Sequence, residues 1–174
     1  MPTAPSTGNY MLGKGVLKFD RFDSDGLPTG IRDLGNCPNF SLTPTVETLD
    51  HFSSREGLKK KDLSVTLSAG LTAKFTLEEY DKQNLAMALL GEVSGHVVNL
   101  MRVSQVRGTL YFYGDPGAGP AFNATLWNVS LKPTSEVGLI TDDWGKIDFE
   151  GEVGEDATGH PSQPTGILEE VFES

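Results

Sequence analysis

Between Asp62 and Phe75 apolar and polar residues alternate. Leu63, Val65, Leu67, Ala69, Leu71, Ala73 and Phe75 share one parity, and Asp62, Ser64, Thr66, Ser68, Thr72 and Lys74 share the other. A period of two is the pattern of a strand with one face in a core. This run outlasts the roughly five to six residues of an ordinary strand, and Gly70 within it predicts a bend. Upstream, Phe40, Leu42 and Val46 alternate with Ser41, Thr43, Thr45 and Glu47, and Pro44 marks an edge or a bulge. The two runs predict a pair of half-buried strands. Between them lies LDHFSSREGLKKKDL, residues 49–63, which reads as a long charged loop. Most connections between strands need only a few residues, so the segment is either a slack insertion or a tool.

The remaining patterns are mostly strands. Residues 15–22 form the first, closed by DSDG at 23–26. A calcium loop would need an oxygen ligand at Arg21 and a carboxylate at Arg32, so DSDG is a turn. One helix is expected at about 77–90. Thr76 would cap it with Glu79 completing a capping box, Gly91 would give a left-handed stop, and Leu77, Tyr80, Leu85, Ala88 and Leu89 would form its apolar face. Strand patterns follow at 97–113, as one long or two shorter strands, and at 122–131. In the second, the apolar phase moves from Phe122, Ala124 and Leu126 to Trp127, Val129 and Leu131, the pattern of a β-bulge. The glycines of GDPGAGP at 114–120 lack the following Lys-Ser or Lys-Thr of a phosphate loop. A last strand region, 141–156, would turn Trp144, Ile147 and Phe149 inward. The expected fold is mainly β: a β-sandwich or partial barrel over 15–156 with one flanking helix, an N-terminal arm 1–14 and a C-terminal arm 157–174.

Functional signatures are sparse. Cys37, His51, His96 and His160 fall in separate segments without a nucleophile–base or metal-ligand spacing, so no catalytic residue, metal or cofactor is expected and the chain reads as a non-enzyme. A net charge of -10 and a pI near 4.6 oppose nucleic-acid binding, which draws its affinity from clustered Lys and Arg. No basic start precedes an apolar run and no eighteen apolar residues are consecutive, which predicts a chain made in the cytoplasm without a membrane partner. Tyr10, Met11, Ile167, Leu168 and Phe172 are apolar anchors on otherwise unpatterned arms, expected to order on assembly.

The segments GKGVLKFDRF, GIRDLGNCPNFSLTPTVETLDHFSSREG, FTLEEYDKQNLAMALLG and NVSLKPTSEVGLITDDWGKIDFEGEV, in this order, cover most of the domain. In them the chain resembles the tail tube (major tail) proteins of long-tailed bacteriophages. The resemblance implies a subunit that closes into a hexameric ring with a continuous inner β-barrel. Such rings stack into the virion's tail tube, the conduit for genome ejection. The implied partners are further copies, the tape-measure protein, the tail terminator and baseplate proteins, while DNA passes through the lumen without specific binding. The loop at about 49–62 would reach an adjacent ring through His51, Arg55, Glu56, Lys59, Lys60, Lys61 and Asp62. Its cluster of bases in an acidic protein suits an acidic surface on a neighbouring copy. Thr43, Thr45, Glu47, Ser64, Thr66 and Ser68 are candidates for the lumen wall, and suit an outer surface equally. Alternatives are a related single-ring tail component (terminator or baseplate tube protein), a small-ligand-binding β-barrel carrier, and an enzyme using Cys37 or a His.

Overall fold

The computed structural model describes residues 6–55 and 57–171. The strands are β1 (Gly15–Phe22), β2 (Pro28–Asp33), β3 (Asn39–Ser53), β4 (Lys60–Leu77), β5 (Glu92–Ser94), β6 (Val97–Asn99), β7 (Val106–Gly114), β8 (Ala121–Pro133), β9 (Ile147–Gly154) and β10 (Gly166–Val171), with one helix, α1 (Lys82–Ala88), between β4 and β5. Except for the small β5–β6 hairpin, the strands join one antiparallel sheet in the order β2-β1-β7-β8-β9-β4-β3, with β10 added to β8. The molecule is mainly β. None of the helices among the described residues is long and apolar enough to cross a membrane.

Alternation places the core. Leu17 and Phe19 of β1, Ala73, Phe75 and Leu77 of β4, Leu126, Val129 and Leu131 of β8, and Ile147 and Phe149 of β9 turn to one side and are buried. Phe40 of β3 meets Phe112 of β7 with ring centroids 5.1 Å apart. Those strands lie four places apart in the sheet, so the sheet must curl until its apolar surface faces itself, a partial barrel. The β8 bulge lies where the phase moves: Leu126 pairs with Leu110 but Val129 with Gly108. Trp127 does not join the inward row; its Nε1 donates to Gln163 O at 3.0 Å and its ring stacks on His160.

Several expected boundaries move. The helix is shorter than 77–90 because β4 continues to Leu77, using Thr76 as a strand residue whose hydroxyl donates to Asp148 at 2.6 Å. Asp81 is the cap, accepting from Gln83 N and Asn84 N. The left-handed residue after the helix is Leu90, at φ 50°. Gly91 is required for a different reason: a Cβ there would stand 2.8 Å from Asn99 O of β6. Trp144 is 87% exposed, because β9 begins only at Ile147. The C-terminal arm is no loose tail. Its residues 166–171 form β10, paired with Ala121–Leu126 in line beyond the end of β9.

Asn84 holds α1 to the sheet. Fully buried, it donates to Leu34 O (3.1 Å) and Glu79 O (2.9 Å) and accepts from Arg32 Nη2 (2.7 Å). Removing one partner leaves the others desolvated, at roughly 1–3 kcal/mol per group. Asn84→Ala is expected to lower unfolding free energy by about 3 kcal/mol, read as a fall in urea midpoint at constant slope.

Candidate functional site

β4 outgrows the body. Its pairing with β9 ends at Leu71–Val153, yet β4 runs on to Lys60 with β3 as its strand partner. Gly70 stands at that departure point without a positive φ, so the expected bend is instead the place where a two-stranded arm leaves the sheet. At about 3.3 Å per residue, segment 60–70 carries the arm on the order of 36 Å from its root. The segment 49–62 is therefore not a loop. Strand pairing continues through Ser53 and Lys60, and the tip is only 54–59.

The arm has two faces. Residues directly opposite in an antiparallel ladder share a face. One row joins Val46 to Ala69, Leu49 to Val65 and His51 to Leu63, with Leu67 between; it extends the row that begins in the core at Leu77 and Phe75. Exposure along this row rises from 0% at Leu77 to 56% at Leu67 and 58% at Leu63. At a register shift the pairing moves from Glu47–Ser68 to Thr48–Thr66, leaving Leu67 as the extra residue of a bulge in β4. The polar pairs are Thr43 with Thr72, Thr45 with Gly70 and Glu47 with Ser68 before the shift, and Thr48 with Thr66 and Asp50 with Ser64 beyond it. Of the six residues read as lumen candidates, Thr43, Thr45, Glu47 and Ser68 share one surface before the shift, and Thr66 and Ser64 face Thr48 and Asp50 beyond it.

That polar surface crosses onto the body. Lys74 stands opposite Glu150, Thr72 opposite Glu152, and Glu152 opposite Ser130, so β3, β4, β9 and β8 present one continuous sheet of hydroxyls and charges. Its lysines are matched: Lys74 to Glu150 and Lys132 to Glu152, both at 3.2 Å, and Lys61 to Asp50 at 2.7 Å.

The residues read as a contact loop divide. His51 pairs with Asp62 across the ladder at 2.6 Å, and Lys60 and Lys61 lie in β4. Arg55 and Lys59 are at the tip with Leu58, which is 86% exposed; Glu56 lies outside the described residues. Of the arm anchors, Tyr10 is exposed, whereas Met11 and Leu168 meet at an apolar cleft of about 170 Å³ with Phe40, Leu42, Phe112 and Phe122. Residues 12–14 pair with the β7–β8 connection through Leu12 N to Ala118 O and Asp115 N to Lys14 O. Ile167 lies opposite Thr125, and Phe172 is outside the described residues. Cys37 donates to Asn39 O at 3.2 Å, and burial pushes its thiol pKa up, away from a reactive thiolate. His51 is on the arm, His96 in the β5–β6 turn, and His160 bonds Asp156 at 3.0 Å; the structure does not bring them together.

Sequence reading missed the 134–146 connection between β8 and β9 as a surface. Tyr80 OH donates to Lys146 O, and Lys146 reaches Glu78, anchoring its end. Leu139, Ile140 and Trp144 stand in solvent beside Asp142 and Asp143, with Ile140 99% exposed. Trp144 was expected inward with Ile147 and Phe149 because the strand was read over 141–156, whereas β9 begins only at Ile147.

A family model described as "Protein of unknown function UCP028589" matches residues 10–99, just over half of the chain. The match spans β1 to β6, including the whole arm and α1. No curated protein matches the sequence.

Lys61 and Ser64 hold the Asp50 carboxyl below its ordinary value, Lys61 contributing most. A carboxylate with a depressed folded pKa stabilises the fold above its unfolded pKa, and that contribution is lost as pH falls through the folded value. Acidification below the ordinary value of 3.8 is therefore expected to loosen the arm ladder. Lys61→Ala should move the Asp50 titration upward, followed by carboxyl-carbon NMR; an unchanged titration would show that the pair does not form in solution.

Proposed function

We propose that this chain, which belongs to that family, is a structural subunit that polymerises as stacked hexameric rings into a phage tail tube, the conduit for genome ejection. The reading joins the sequence resemblance to one observation, the arm whose apolar row leaves the core and continues into solvent. A two-stranded ribbon is marginal in water unless a third strand or a packed surface supports it. Within one subunit, β3 keeps an open outer edge and β4 an open edge beyond Leu71. Long open edges invite pairing with another chain, and a closed barrel removes them. Neighbouring copies in a ring would cover both the edges and the apolar row, leaving the hydroxyl-rich face to line the channel. The subunit's main partner is then itself, with the tape-measure, terminator and baseplate proteins at the tube's interior and ends, and the mature protein resides in the virion.

The polar face supports the channel role. Affinity for a phosphate backbone requires bases free to displace counterions, and Lys61, Lys74 and Lys132 each stand beside a carboxylate. DNA would slide past such a wall without being gripped. The carrier alternative draws less support: the apolar cleft, about 170 Å³, is smaller than the roughly 300–1,000 Å³ of sites that enclose small molecules.

Negative-stain microscopy and sedimentation of the purified protein test the proposal, with hollow tubes expected. Discrete rings that never lengthen would favour the single-ring component, and a monomer at all concentrations and salts would sink both. A second test isolates the apolar row. Leu49→Ser, Val65→Ser and Leu67→Ser together should leave the subunit's stability within about 1.5 kcal/mol, since each is exposed. Polymerisation should be lost. Assembly equal to wild type would remove the arm from the interface.

A further inference from the structure

The tip of the arm and the 134–146 loop lie at opposite ends of one strand. β4 starts at Lys60 beside the tip and ends at Leu77, which pairs with Ile147, the residue following the loop. The eighteen residues of β4 separate the two by about 60 Å, so they cannot meet within a subunit. Between copies arranged head to tail they can.

Their chemistry is complementary. Between residues 54 and 60 the chain carries Arg55, Lys59 and Lys60 against the single acid Glu56, with Leu58 almost fully exposed. The loop carries Glu136, Asp142 and Asp143, while its nearest base, Lys146, is turned to Glu78 at 4.0 Å. Leu139, Ile140 and Trp144, adjacent to those acids in sequence, are each exposed. The loop is ordered by its own bonds, Thr141 Oγ1 to Asp143 O at 2.6 Å and Trp144 N to Asp143 Oδ1 at 2.7 Å. A ready-made set of a tryptophan, two aliphatics and neighbouring acids fits a partner offering a leucine flanked by Lys and Arg. The aliphatics bury one another, the acids meet the bases, and Trp and Arg are the residues over-represented in interface hot spots.

The geometry points to the loop at 134–146 as the docking surface for the arm tip of a second copy in the next ring; this inference rests on the stacked-ring reading. Reach agrees. β8 and β10 extend the body roughly 20 Å past the end of β9 through segment 121–126, while the arm extends on the order of 36 Å. The last 16 Å or so of arm, and its tip, thus clear the subunit's own body. The contact joins two different patches, so it is heterologous and open-ended, and repeating it builds a filament instead of a closed pair.

Cross-linking tests the contact. Leu58→Cys and Ile140→Cys are combined in a Cys37→Ser background, where the two introduced thiols are the only ones in the chain. Oxidation of assembled protein is expected to produce a ladder of disulfide-linked dimers, trimers and longer multimers on non-reducing gels. Each single-cysteine control should stop at dimers. Tubes that form without a ladder would overturn the docking assignment while leaving the tube reading intact; protein that never assembles would overturn the tube reading and the docking with it. A charge exchange supplies an independent readout. Lys59→Glu with Lys60→Glu should raise the critical concentration for assembly about tenfold. Adding Asp142→Lys and Asp143→Lys to the same chain should restore most of it, and failure to restore would count against this pairing of charges.

Discussion

One apolar row governs this molecule. It begins at Leu77 and Phe75, where the side chains are sealed between β9 and the curled sheet, and it passes Ala73 and Leu71 at the edge of the body. It then continues through Ala69, Leu67, Val65 and Leu63 with the same alternation and no body left to cover it. Burying a Leu or Val side chain is worth roughly 1.5–3 kcal/mol, and the arm forgoes much of that in the isolated chain. The sequence nonetheless keeps the row apolar to its end. A surface strand under no such demand would carry polar residues on both faces, so the row is most simply explained by a second surface that closes over it.

The rest of the architecture serves that overhang. β9 stops at Gly154, and the chain makes an excursion before β10 resumes the same line against β8. That excursion is clipped. His160 stacks on Trp127 with ring centroids 3.6 Å apart, and Asp156 accepts from both His160 and Gly159 N. The slot beside the arm's root is consequently left to the apolar cleft where Met11, Phe40 and Leu168 converge. Met11 of the N-terminal arm and Leu168 of β10 thus both approach the root of the arm.

Much of this was legible, and the failures have physical causes. The alternation in β4, the limits of β1 and the bulge in β8 are local patterns, and each appears where it was read. The supposed loop at 49–62 failed because composition was taken as conformation. Asp50, His51, Lys61 and Asp62 look like loop residues, yet across a ladder they satisfy one another in pairs 2.6–2.7 Å apart. Such cross-strand pairs hold an exposed strand as well as apolar ones do. Thr76 and Glu79 formed a sound capping signal, but the ladder with β9 claimed Thr76 first, and Asp81 took the cap. β10 was missed since its partner segment lies some forty residues upstream, a long-range pairing that no local window contains. Asn84 looked like an ordinary helix residue; its burial depends on Arg32 and Leu34, brought to it by the β1–β2 hairpin.

Parity put Thr43, Thr45 and Glu47 of β3 and Ser64, Thr66 and Ser68 of β4 forward as candidates for a channel wall. Pairing joins Glu47 to Ser68, and the polar face that includes this pair continues through Thr72 and Lys74 across β9 and β8. The character of that face differs from what the net charge of -10 would suggest by itself. Glu47, Asp50, Asp148, Glu150 and Glu152 lie along it, but so do Lys61, Lys74, Lys132 and Arg107, and each lysine is matched to one of the acids. The face is close to neutral and rich in hydroxyls. For a passing polyanion this is a better surface than a strongly acidic one. Dense negative charge around a channel would raise the energy of every phosphate inside it, whereas free bases would bind phosphates and release counterions. Paired charges do neither at a distance beyond a few ångströms. The acidity that remains lies off this face.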